Sequence, residues 1–505
     1  MKIAILSPSY LDSSSAFQEH DPGTDPSPYL RDHDCTVCMI EKKAAFRQVR
    51  DCVGRDYSVF INLCDGSWDE DRPGIEVVQA LERFNVPYTG AGPAFYDPSR
   101  DAMKRVAYYM GLDAPPGVFA RTGSDVDRAA ATLRFPLIVK HPNSYGSIGM
   151  TRDSRVSDPQ SLAAQAGTMI RAYGQALIEE FIEGREFTVL VAEPGAGEQQ
   201  PRTYVPVECL LPPGETFKHF HLKWVGYDQL SWEPVRETSL DDRLRGAASR
   251  FFAGMNGSGY GRCDFRLSPD GRLYLLEINP NCGLFYPKGQ FGSADLILDA
   301  DAGGHRGFLD HILDCAFRRQ RRNRRLWSIR FDPGRGYEMV AAQGIPAGGM
   351  IMRGEEQAHH LVSRRHVERT WDSLHQQWFR QYAWPLTGEL FVTWNPDPEA
   401  WAPMNHSCDP NAWMEGLDLV ARRGIAAGDA ITVDYATFCG ETMADFACHC
   451  GSPLCRKIIR GTDHLLGLVG ERYGDHVSEY VRLAREQNRK CSRPDSGPRG
   501  GTHDY

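Results

Sequence analysis

Two different patterns divide this chain of 505 residues. From Met1 to about Leu112, the buried-strand patterns KIAIL and YSVFINLC alternate with an amphipathic helical pattern, GIEVVQALERF. Alternation of this kind predicts an α/β region with a parallel sheet. Further strand patterns, PLIVK, REFTVLVAE and RLYLLEIN, continue to about Asp299. After the arginine-rich run RRQRRNRR, at 318–325, short strand patterns dominate. The two halves are therefore expected to have different folds.

Length, charge and cysteine content exclude several classes of protein. The chain exceeds one ordinary core, because domains usually hold about 100–200 residues. With 41% hydrophobic and 24% charged residues, it is typical of a globular protein, and no run approaches the roughly 18 apolar residues of a membrane helix. The net charge of −9 gives no indication of nucleic-acid binding. Fourteen cysteines are too few for a disulfide scaffold and indicate reduced thiols, so we expect a cytoplasmic enzyme.

The arginine-rich run has more than one interpretation. It could be a nuclear-import or nucleic-acid-binding patch, or a helix end that continues into a solvated linker. We favour the linker and place it at 318–326. The apolar start, Met1 to Leu6, predicts a first strand, since a signal peptide needs a longer apolar stretch and a cleavage site. From about Gln487 onward the composition is typical of a disordered tail.

Lysine is scarce, with only 10 among the 57 basic residues, so a lysine at a motif position is informative. Lys140 ends the apolar strand pattern PLIVK and precedes a loop that contains Gly and Ser, NSYGSIG. Lys104 lies on a predicted helix after a strand-like region. Lysine side chains, together with the backbone N–H groups of such a loop, can hold phosphates. The pattern therefore favours a nucleotide phosphate site.

Three oxygen-bearing side chains form a second pattern. Glu277 and Asn279 are one residue apart in the strand pattern YLLEINPN and so point to the same side. Asp264, in GYGRCDF, is expected on a neighbouring strand across a turn at 269–271. Carboxylate and amide oxygens are ligands that Mg²⁺ prefers. Because Glu277 and Asn279 alone are more often a solvent-facing pair, the predicted site depends on all three residues.

Taken in order, these features resemble the ATP-grasp superfamily, and specifically the D-alanine–D-alanine ligases. The resemblance spans about Met1 to Phe317 and rests on seven segments: FINLCDG, VPYTGAG, DAMKRVAYYMGLDAPPG, FPLIVKHPNSYGSIGM, ALIEEFIEGREFTVLV, GYGRCDFRL and LYLLEINPNCGL. It implies an enzyme that uses ATP and Mg²⁺ to join a carboxylate to an amine through an acyl phosphate. It also implies a small α/β substrate domain over 1–88 and an ATP-grasp domain over 89–317.

The resemblance implies roles for the matching residues. Those expected to hold ATP are Lys104 and Lys140 at the phosphates, Glu179, Glu180, Phe181 and Ile182 around the adenine, and Glu186 at the ribose. Those expected to bind Mg²⁺ are Asp264, Glu277 and Asn279. Those expected at the reacting groups are Ser147 in the loop that closes on the phosphates, Arg262 beside the developing negative charge, and Lys223 on a mobile loop.

Two segments depart from the ligase pattern. The family's binding segment for the acceptor amino acid is replaced by LFYPKGQFG, with the bulky Leu284, Phe285 and Tyr286. Near the N-terminus, SPSYLDSSSAFQEHD replaces the Gly- and Ser-rich substrate loop. We therefore expect an amino acid, a peptide or a similar small molecule as substrate, with an acceptor other than D-alanine. Ligases of this kind are commonly dimers, which implies a homodimer.

Three cysteines are tightly spaced near the C-terminus. Cys448, Cys450 and Cys455 form a C-x-C-x4-C pattern in CHCGSPLC. Three thiolates at this spacing are typical of a structural Zn²⁺ site, which needs a fourth ligand to complete a tetrahedron. The nearby candidates for that ligand are Cys439, His449 and Cys408.

The motif NHSCDPN, at 405–411, indicates the family of the second half. Together with DPGRGYEMVAAQGIPAGGMI, RRGIAAGDAITVDY and CHCGSPLCR, it resembles the SET domain of lysine methyltransferases and its post-SET zinc segment, over about Trp327 to Arg460. The resemblance implies Cys408 as the fourth zinc ligand and Tyr435 as the catalytic tyrosine. It implies S-adenosyl-L-methionine as the methyl donor, held by Gly334, Arg335, Gly336, Tyr337, Asn405 and His406.

Some positions of the second half have alternative interpretations. Phe438, three residues after Tyr435, could be a wall of the substrate channel or part of the core. Many members of the SET family have Arg-Phe where this chain has Ala402 and Pro403, and this departure weakens a histone as substrate. A lysine amine, with an ordinary pKa of about 10.4, must lose its proton before it attacks a methyl group.

The sequence thus predicts an α/β ATP-grasp region, preceded by a small parallel-sheet domain and joined to a mostly β SET domain with a zinc-binding post-SET segment. The expected boundaries are 1–88, 89–317, 318–326, 327–436, 437–460 for the post-SET segment, and 461–505 for a C-terminal helix and tail. We expect a bifunctional enzyme that acts on small molecules, without membrane or direct nucleic-acid partners. The alternative is a methyltransferase for protein lysines whose ligase-like half is a ligand-binding or regulatory module.

Overall fold

The computed structural model describes residues 1–10, 21–67, 71–143, 146–323, 325–333, 336–354, 360–393 and 403–491. The chain forms two compact units, Met1–Asn323 and Arg324–Tyr505. Across the described ranges, none of the helices combines the length and the apolar character that a membrane crossing requires.

The first unit begins with a small parallel sheet, as the sequence predicts. Its strands are β1 (Lys2–Pro8), β2 (Asp34–Ile40) and β3 (Val59–Asn62), in the order β2–β1–β3. Helices α1 (Ala45–Val53) and α2 (Ile75–Arg83) supply Val49 and Val77 to the core on one face, where Leu6 packs. On the other face Ile5 belongs to a different core. Both faces of β1 are therefore buried, which explains its unbroken apolar pattern.

A four-stranded antiparallel sheet follows. Its strands are β4 (Gly117–Ala120), β5 (Leu137–Lys140), β6 (Arg155–Val156) and β7 (Ala176–Glu180), in the order β4–β7–β5–β6. Helix α3 (Arg100–Tyr109) precedes it, and α4 (Gly123–Thr132) and α5 (Pro159–Tyr173) belong to its core. Ile138 pairs with Glu179 across the sheet. Lys140, two residues from Ile138, therefore has its side chain on the same face as Glu179.

A six-stranded antiparallel sheet follows. Its strands are β8 (Arg185–Ala192), β9 (Arg202–Thr203), β10 (Val207–Leu210), β11 (Ser231–Pro234), β12 (Tyr260–Leu267) and β13 (Leu273–Pro280). The order is β11–β10–β8–β12–β13, with β9 beside β8. The predicted hairpin is present, since Asp264 pairs with Glu277 and Arg262 with Asn279. Its helices are α6 (Phe220–Trp224), α7 (Thr238–Gly254) and α8 (Ser293–Ala300).

The arginine-rich run differs from the expected linker. Helix α9 (Gly304–Asn323) includes its first six residues and ends the first unit. Arg319 is buried, with Nη2 donating to Tyr88 O at 2.6 Å and Nη1 to Gly90 O at 3.0 Å. Its guanidinium also lies 4.4 Å from the centre of the Tyr88 ring. Because basic side chains are favourable in the last turn of a helix, the arginines extend α9 rather than ending it at 317.

The second unit is built mostly of short strands, as predicted. They are β14 (Trp327–Asp332), β15 (Gly336–Ala341), β16 (Met350–Met352), β17 (His360–Ser363), β18 (Trp384–Pro385), β19 (Leu390–Thr393), β20 (Asn405–His406), β21 (Ala412–Glu415), β22 (Asp418–Ala421), β23 (Thr432–Val433), β24 (Phe446–Ala447) and β25 (Ile458–Ile459). They form the sheets β14–β15, β16–β22–β21, β17–β19–β18, β20–β23 and β24–β25. Met339, Met414 and Ile431 have no exposed surface and form the centre of this unit's core.

In the described part of the second unit, four helices accompany these strands. They are α10 (Arg364–Thr370), α11 (Ser373–Tyr382), α12 (Gly467–Tyr473) and α13 (Glu479–Cys491). The first two pack with β19 through Val367, Phe379 and Phe391, and the last two form a small core with Ala436. The disordered tail was expected from about Gln487, but α13 continues to Cys491, so that expectation is wrong for 487–491; the rest of the tail, 492–505, lies outside the described residues.

Candidate functional site

A buried glutamate joins the two lysines that the sequence assigns to phosphates. Glu179 lies on β7 and is 2% exposed. Its Oε2 is 2.8 Å from Lys140 Nζ, and its Oε1 contacts Lys104 Nζ. Burial alone would raise the pKa of Glu179, but Lys104 and Lys140 lower it to about 2. The side chain of Glu179 therefore stays charged and holds both ammonium groups together, a role that the sequence analysis, which assigned it to the adenine segment, missed.

A second buried glutamate is paired in the same way. Glu186, on β8, has Oε1 2.8 Å from Lys218 Nζ and Oε2 2.8 Å from Arg266 Nη2. Burial opposes its charge, but these two cations lower the pKa of Glu186 to about 2. Arg266 Nη1 also donates to Ile182 O at 2.7 Å. The predicted ribose residue and the predicted adenine segment are thus tied together by Arg266, which the sequence analysis did not single out.

The other residues of the predicted adenine segment have cationic neighbours as well. Glu180 Oε2 accepts from Arg134 Nη2 at 2.9 Å. The Phe181 ring has the guanidinium carbons of Arg155 at 4.8 Å and Arg266 at 4.7 Å from its centre. A cavity brings most of the predicted ATP residues to one place; its lining includes Lys140, Ser147, Glu179, Glu180, Phe181, Ile182, Glu186, Lys223, Asp264 and Glu277. Lys104 is joined to this cavity through Glu179.

Asp264 and Arg262 form a buried pair on β12. Arg262 donates from Nε to Asp264 Oδ1 at 3.0 Å and from Nη2 to Oδ2 at 2.9 Å. Thr188 Oγ1 donates to the same Oδ1 at 2.7 Å. Burial disfavours the charge of Asp264, but Arg262 and the hydrogen bonds hold its pKa well below its usual range. The pair keeps a full carboxylate and a full guanidinium at the centre of the site.

Glu277 and Asn279 bring two further polar groups to Asp264. Asn279 Nδ2 lies 3.4 Å from Asp264 Oδ2 and 3.2 Å from Glu277 Oε1. Arg100, which the sequence analysis did not mention, lies with Nη2 2.5 Å from Glu277 Oε2. The pKa of Glu277 is lowered, because the attraction of Arg100 outweighs burial and the repulsion of Asp264. The three residues predicted to bind Mg²⁺ are therefore brought together, with both carboxyl groups ionised.

The loop after β5 is held against the segment that carries Lys223. Ser147 Oγ donates to Lys218 O at 2.9 Å, and Trp224 Nε1 donates to Gly146 O at 2.9 Å. The backbone N–H of Phe220 donates to Met150 O at 3.1 Å. Burial, with Arg262 and Lys218 nearby, lowers the pKa of Lys223 to about 8. These bonds place Ser147 and Lys223 on the same side of the site.

A second cavity of about 530 Å³ adjoins the first. Lys218 and Lys223 line both cavities. Arg262 and Asn279 line the second, whereas their strand neighbours Asp264 and Glu277 line the first. Of the three bulky residues in the departing segment, Tyr286 lines the second cavity, while Leu284 and Phe285 are buried in the core of the first unit. The departing segment thus supplies part of the wall of this cavity.

Four cysteines converge in the second unit. The sulfur atoms of Cys408, Cys448, Cys450 and Cys455 all lie within 4.8 Å of one another, and those of Cys408 and Cys448 are 3.9 Å apart. A tetrahedral Zn²⁺ with bonds of about 2.3 Å to sulfur requires roughly this separation. Backbone N–H groups point at two of the sulfurs, from Arg456 to Cys408 at 3.3 Å and from Lys457 to Cys455 at 3.4 Å.

The other two candidates for the fourth ligand lie elsewhere. Cys439 packs against the core of the second unit, and His449 is exposed. The geometry of the cluster agrees with Cys408, the ligand that the SET resemblance implies.

The predicted catalytic tyrosine lies beside the Asn-His pair of β20. Tyr435 N donates to His406 Nδ1 at 3.2 Å, and Tyr435 Oη donates to Met404 O at 2.8 Å. His406 Nε2 lies 3.3 Å from Cys408 Sγ. Burial lowers the pKa of His406 to about 4, although Asp434 opposes this, so the imidazole is neutral. His406 thus connects the cysteine cluster to the backbone of Tyr435.

The remaining residues of the predicted methyl-donor site are only partly described. Asn405 Nδ2 donates to Tyr337 O at 3.5 Å, which brings β15 and β20 together. Gly336, at φ +78°, adopts a backbone conformation that favours glycine. Gly334 and Arg335 lie outside the described residues, as does Ala402. Phe438 is buried in the core, with its ring centre 5.6 Å from that of Tyr435 and 4.6 Å from that of Trp384.

Asp434, next to Tyr435, was not predicted and has several buried partners. Its side chain has no exposed surface. Its Oδ1 accepts from Ala436 N at 3.1 Å and lies 2.5 Å from Arg456 Nη2. Its Oδ2 accepts from Tyr473 Oη at 3.0 Å. One carboxylate therefore joins the turn that carries Tyr435, the cysteine segment and helix α12.

Comparison with known proteins decides the family. Residues 109–286 match the model of the D-ala D-ala ligase C-terminus, and residues 336–436 match that of the SET domain. The D-alanine–D-alanine ligase of Bordetella pertussis is 31% identical over 229 residues, which are 45% of this chain and 69% of the relative. That of Xanthomonas axonopodis pv. citri is 32% identical over 238 residues, or 46% and 71%. The chain belongs to the D-alanine–D-alanine ligase family.

This member of the D-alanine–D-alanine ligase family is a fusion with a SET domain. A solved ligase structure from Bacillus anthracis, complexed with ATP, aligns with 64% of this chain and 99% of that chain, at 18% sequence identity and a TM-score of 0.48. The family match ends at 286, where the departing segment LFYPKGQFG has begun.

In this ligase-family member, the sequence analysis missed three of the six cations that pair with Glu179, Glu186, Asp264 and Glu277 among the described residues. Arg100, Lys218 and Arg266 each neutralise a carboxylate that the sequence did single out. Arg266 is two residues from Asp264 on the same strand, and Lys218 belongs to the scarce lysines. The spacing of Arg266 from Asp264 and the scarcity of lysine could therefore have identified Arg266 and Lys218. Arg100 has no comparable feature in the sequence.

Proposed function

We propose that the first unit is an ATP-dependent carboxylate–amine ligase that acts on an amino acid or a similar small molecule. The observation that carries this proposal is the junction of the two cavities. Lys218 and Lys223 line both, and the Arg262–Asp264 pair spans the boundary. A phosphate donor in the first cavity and a carboxylate in the second would meet at these cations.

The residues at the junction suit the two steps of such a ligation. A carboxylate oxygen of the substrate attacks the γ-phosphorus of ATP, ADP leaves, and an acyl phosphate forms. An amine then attacks the acyl carbon, phosphate leaves, and the nitrogen loses a proton. Arg262, whose pKa Asp264 keeps well above its usual value although burial opposes it, stabilises negative charge on the acyl group in both steps. Lys223, with a pKa near 8, is positively charged for most of the time at neutral pH and neutralises phosphate oxygens.

Asp264, Glu277 and Asn279 fit a magnesium ion. They offer carboxylate and amide oxygens, the donors that Mg²⁺ prefers. The amide nitrogen of Asn279 lies between the two carboxylates, and a flip of the amide would present its oxygen to the metal instead. Bound Mg²⁺ would neutralise phosphate charge and leave the protein side chains to orient the reactants. Arg100 and Arg262 keep the two carboxyl groups ionised, so that no proton has to leave before the metal binds.

We propose that the second unit is an N-methyltransferase that uses S-adenosyl-L-methionine. The SET resemblance implies Asn405, His406, Gly336 and Tyr337 as donor-binding residues, and the hydrogen bond from Asn405 to Tyr337 O supports this by bringing β15 and β20 together. S-adenosyl-L-methionine would supply the methyl group. Tyr435, Phe438 and Trp384 form an aromatic group beside them. An amine among these rings is desolvated, which favours its neutral, nucleophilic form.

The four-cysteine cluster fits a structural Zn²⁺ in number, ligand type and spacing. We infer that the metal fixes the segment 448–456 against β20. His406 contacts Cys408 of the cluster and also the backbone of Tyr435. Arg456 contacts Cys408 through its backbone and Asp434 through its side chain. Zinc would then shape the methyl-transfer site without taking part in the reaction.

Both activities on one chain favour the modification of a single small molecule. Each carboxylate of the ligase site is matched by a cation, which supports an active ligase over a half that only binds a ligand. The second candidate function is methylation of a protein lysine, with the first unit as a sensor. Only the SET domain favours this second candidate, whereas the small-molecule hypothesis gives both units a function.

Release of ADP by the purified full-length chain tests the proposal. We expect ADP release with ATP, Mg²⁺ and a pool of amino acids, and methyl transfer from labelled S-adenosyl-L-methionine to the ligation product. Glu277→Ala should abolish ADP release and leave methyl transfer, and Tyr435→Phe should do the reverse. Methylation of histones or ribosomal proteins, without ADP release from any pool, would refute the ligase proposal.

A further inference from the structure

The second cavity is larger than alanine substrates need. Its volume of about 530 Å³ falls within the range of roughly 300–1,000 Å³ that encloses drug-sized ligands. Two alanine molecules would leave much of it filled with water. The cavity continues from the cations at the junction to Asp21, Asp65 and Arg72. A substrate that fills it must therefore carry a large side chain.

The walls of this cavity are aromatic. Trp224, at the end of α6, Tyr227, and Trp232, on β11, come from one stretch of the chain, and Tyr286 comes from the segment that departs from the family pattern. Ring faces bind flat, apolar groups by stacking and by burial of apolar surface. Four rings around one cavity favour a substrate with an aromatic body over one with a short aliphatic side chain.

Three of the lining residues hold polar groups that need a partner. Within the described part of the chain, Tyr227 Oη, Trp232 Nε1 and Asn281 Nδ2 are buried and form no hydrogen bond. Leaving a buried polar group unpaired costs about 1–3 kcal/mol. All three can donate, so a ligand whose ring carries an oxygen acceptor, such as a phenolic hydroxyl, would satisfy them best.

The charges of the cavity indicate the orientation of the ligand. Arg262 and Lys223 lie at the end that adjoins the first cavity, and they suit a carboxylate. Asp21 lies in the lining as well, with its carboxylate accepting from Tyr10 Oη and from Gly23 N. A second carboxylate of the lining, Asp65, is paired with Arg72, whose Nη1 lies 2.9 Å from its Oδ1. An amino acid has this distribution of charge, with its ammonium toward Asp21.

A cationic side chain is disfavoured. Lys218 Nζ already lies 5.0 Å from the centre of the Trp232 ring, and it would repel a second cation at that face. Lys223 and Arg262 add to this repulsion. The aromatic wall therefore suits a neutral ring better than the side chain of arginine or lysine.

We propose that the second cavity binds an amino acid with a neutral aromatic side chain, whose carboxylate lies at Arg262 and Lys223 and whose ring lies among Trp224, Tyr227 and Trp232. The proposal rests on the proposed ligase function, since this carboxylate is the one that receives the phosphoryl group. It goes beyond that function by naming the substrate class.

Measurement of ADP release with single amino acids tests the proposal. Phenylalanine, tyrosine and tryptophan, in both enantiomers, are compared with alanine and arginine, using the full-length chain, ATP and Mg²⁺. We expect kcat/KM at least about 10-fold higher for one of the aromatic amino acids than for alanine or arginine. Equal or better use of alanine or arginine would overturn the proposal while the ligase function stands.

Binding measured by equilibrium dialysis, without ATP, separates the two proposals. Saturable binding of an aromatic amino acid without any ADP release would support the substrate class and refute the ligase function. Tyr227→Phe removes one donor, and we expect it to weaken this binding about 3- to 10-fold. Tyr109→Phe, at a residue that is 80% exposed, is the matched control and should bind as the wild type does. The assignment would be contradicted if Tyr227→Phe bound the aromatic amino acid as tightly as Tyr109→Phe does and the wild type bound alanine equally well.

Discussion

The two units neutralise their functional groups in different ways. In the first, protein cations pair with each acidic group of the ligase site: Glu179 with two lysines, Glu186 with a lysine and an arginine, Asp264 with Arg262 and Glu277 with Arg100. In the second, four thiols lie together with backbone N–H groups and His406 around them. Their mutual repulsion as thiolates calls for a metal cation from outside the chain.

This difference has a consequence for stability. A site whose charges the chain itself balances can form before any ligand binds. A cluster of thiolates is stable only with its metal, so that metal binding and folding become one process. The first unit should therefore tolerate removal of metal ions, and the second should not.

Removal of zinc should have the largest effect. The apparent binding free energy of structural zinc sites is on the order of 10 kcal/mol or more, comparable to the whole stability of a domain. We expect Cys450→Ser, or chelation of the wild type, to abolish methyl transfer and the thermal transition of the second unit. The transition of the first unit should move little in calorimetry. Metal analysis should find one zinc per chain in the wild type.

Cys439→Ser is the matched control, because Cys439 packs against the core rather than in the cluster. It should keep its zinc and its methyl transfer. An unchanged second transition after complete removal of the metal would contradict a structural role for zinc.

Asp434→Asn should have the next largest effect. The substitution removes the charge that Arg456 faces in the interior, and breaking a buried pair costs about 3–5 kcal/mol. We expect the second unit to melt at a lower temperature and kcat of methyl transfer to fall, because the turn of Tyr435 loses its support. KM should change less than kcat, since Asp434 acts through other residues. Retention of zinc, measured by metal analysis, would separate this effect from loss of the cluster.

The sequence made the folds and many of the site residues predictable, for reasons that particular residues illustrate. Side chains alternate along a strand with a period of two, so Glu277 and Asn279 could be assigned to the same side. The turn at 269–271 then predicted the hairpin that brings them to Asp264. The spacing of Cys448, Cys450 and Cys455 allowed a metal cluster because short loops bring such residues together.

Other contacts could not be read from local patterns. Glu179 meets Lys104 and Lys140 only after α3 and two strands pack, and Asp434 meets Tyr473 across 39 residues. Nothing in the spacing of these residues records such contacts. The arginine-rich run was expected to leave the helix, yet Arg319 is buried against Tyr88. Composition alone does not distinguish an arginine that packs from one that is solvated.

Acidification should reveal the charge of Glu179. Its pKa is about 2 in the folded state against an ordinary 4.5, so its stabilising effect is complete above pH 4.5 and is lost as the pH falls toward 2. From this one group we expect a loss of about 2 kcal/mol of unfolding free energy between neutral pH and pH 3. In Glu179→Gln this loss of unfolding free energy at low pH should be absent. Urea unfolding of the first unit at several pH values would measure it. If the unfolding free energy depended on pH equally in the wild type and in Glu179→Gln, Glu179 would not carry the charge assigned to it.

Tyr473→Phe should have the smallest effect. The hydroxyl donates to Asp434 Oδ2 at 3.0 Å, while Arg456 and the N–H of Ala436 remain to satisfy the carboxylate. Loss of one such hydrogen bond costs about 1–2 kcal/mol, so the second unit should melt a few degrees lower with methyl transfer nearly intact. If Tyr473→Phe instead reduced methyl transfer as much as Asp434→Asn, helix α12 itself would set the position of Tyr435. The carboxylate would then be only one of its supports, and the second unit would depend on helix packing as well as on its metal.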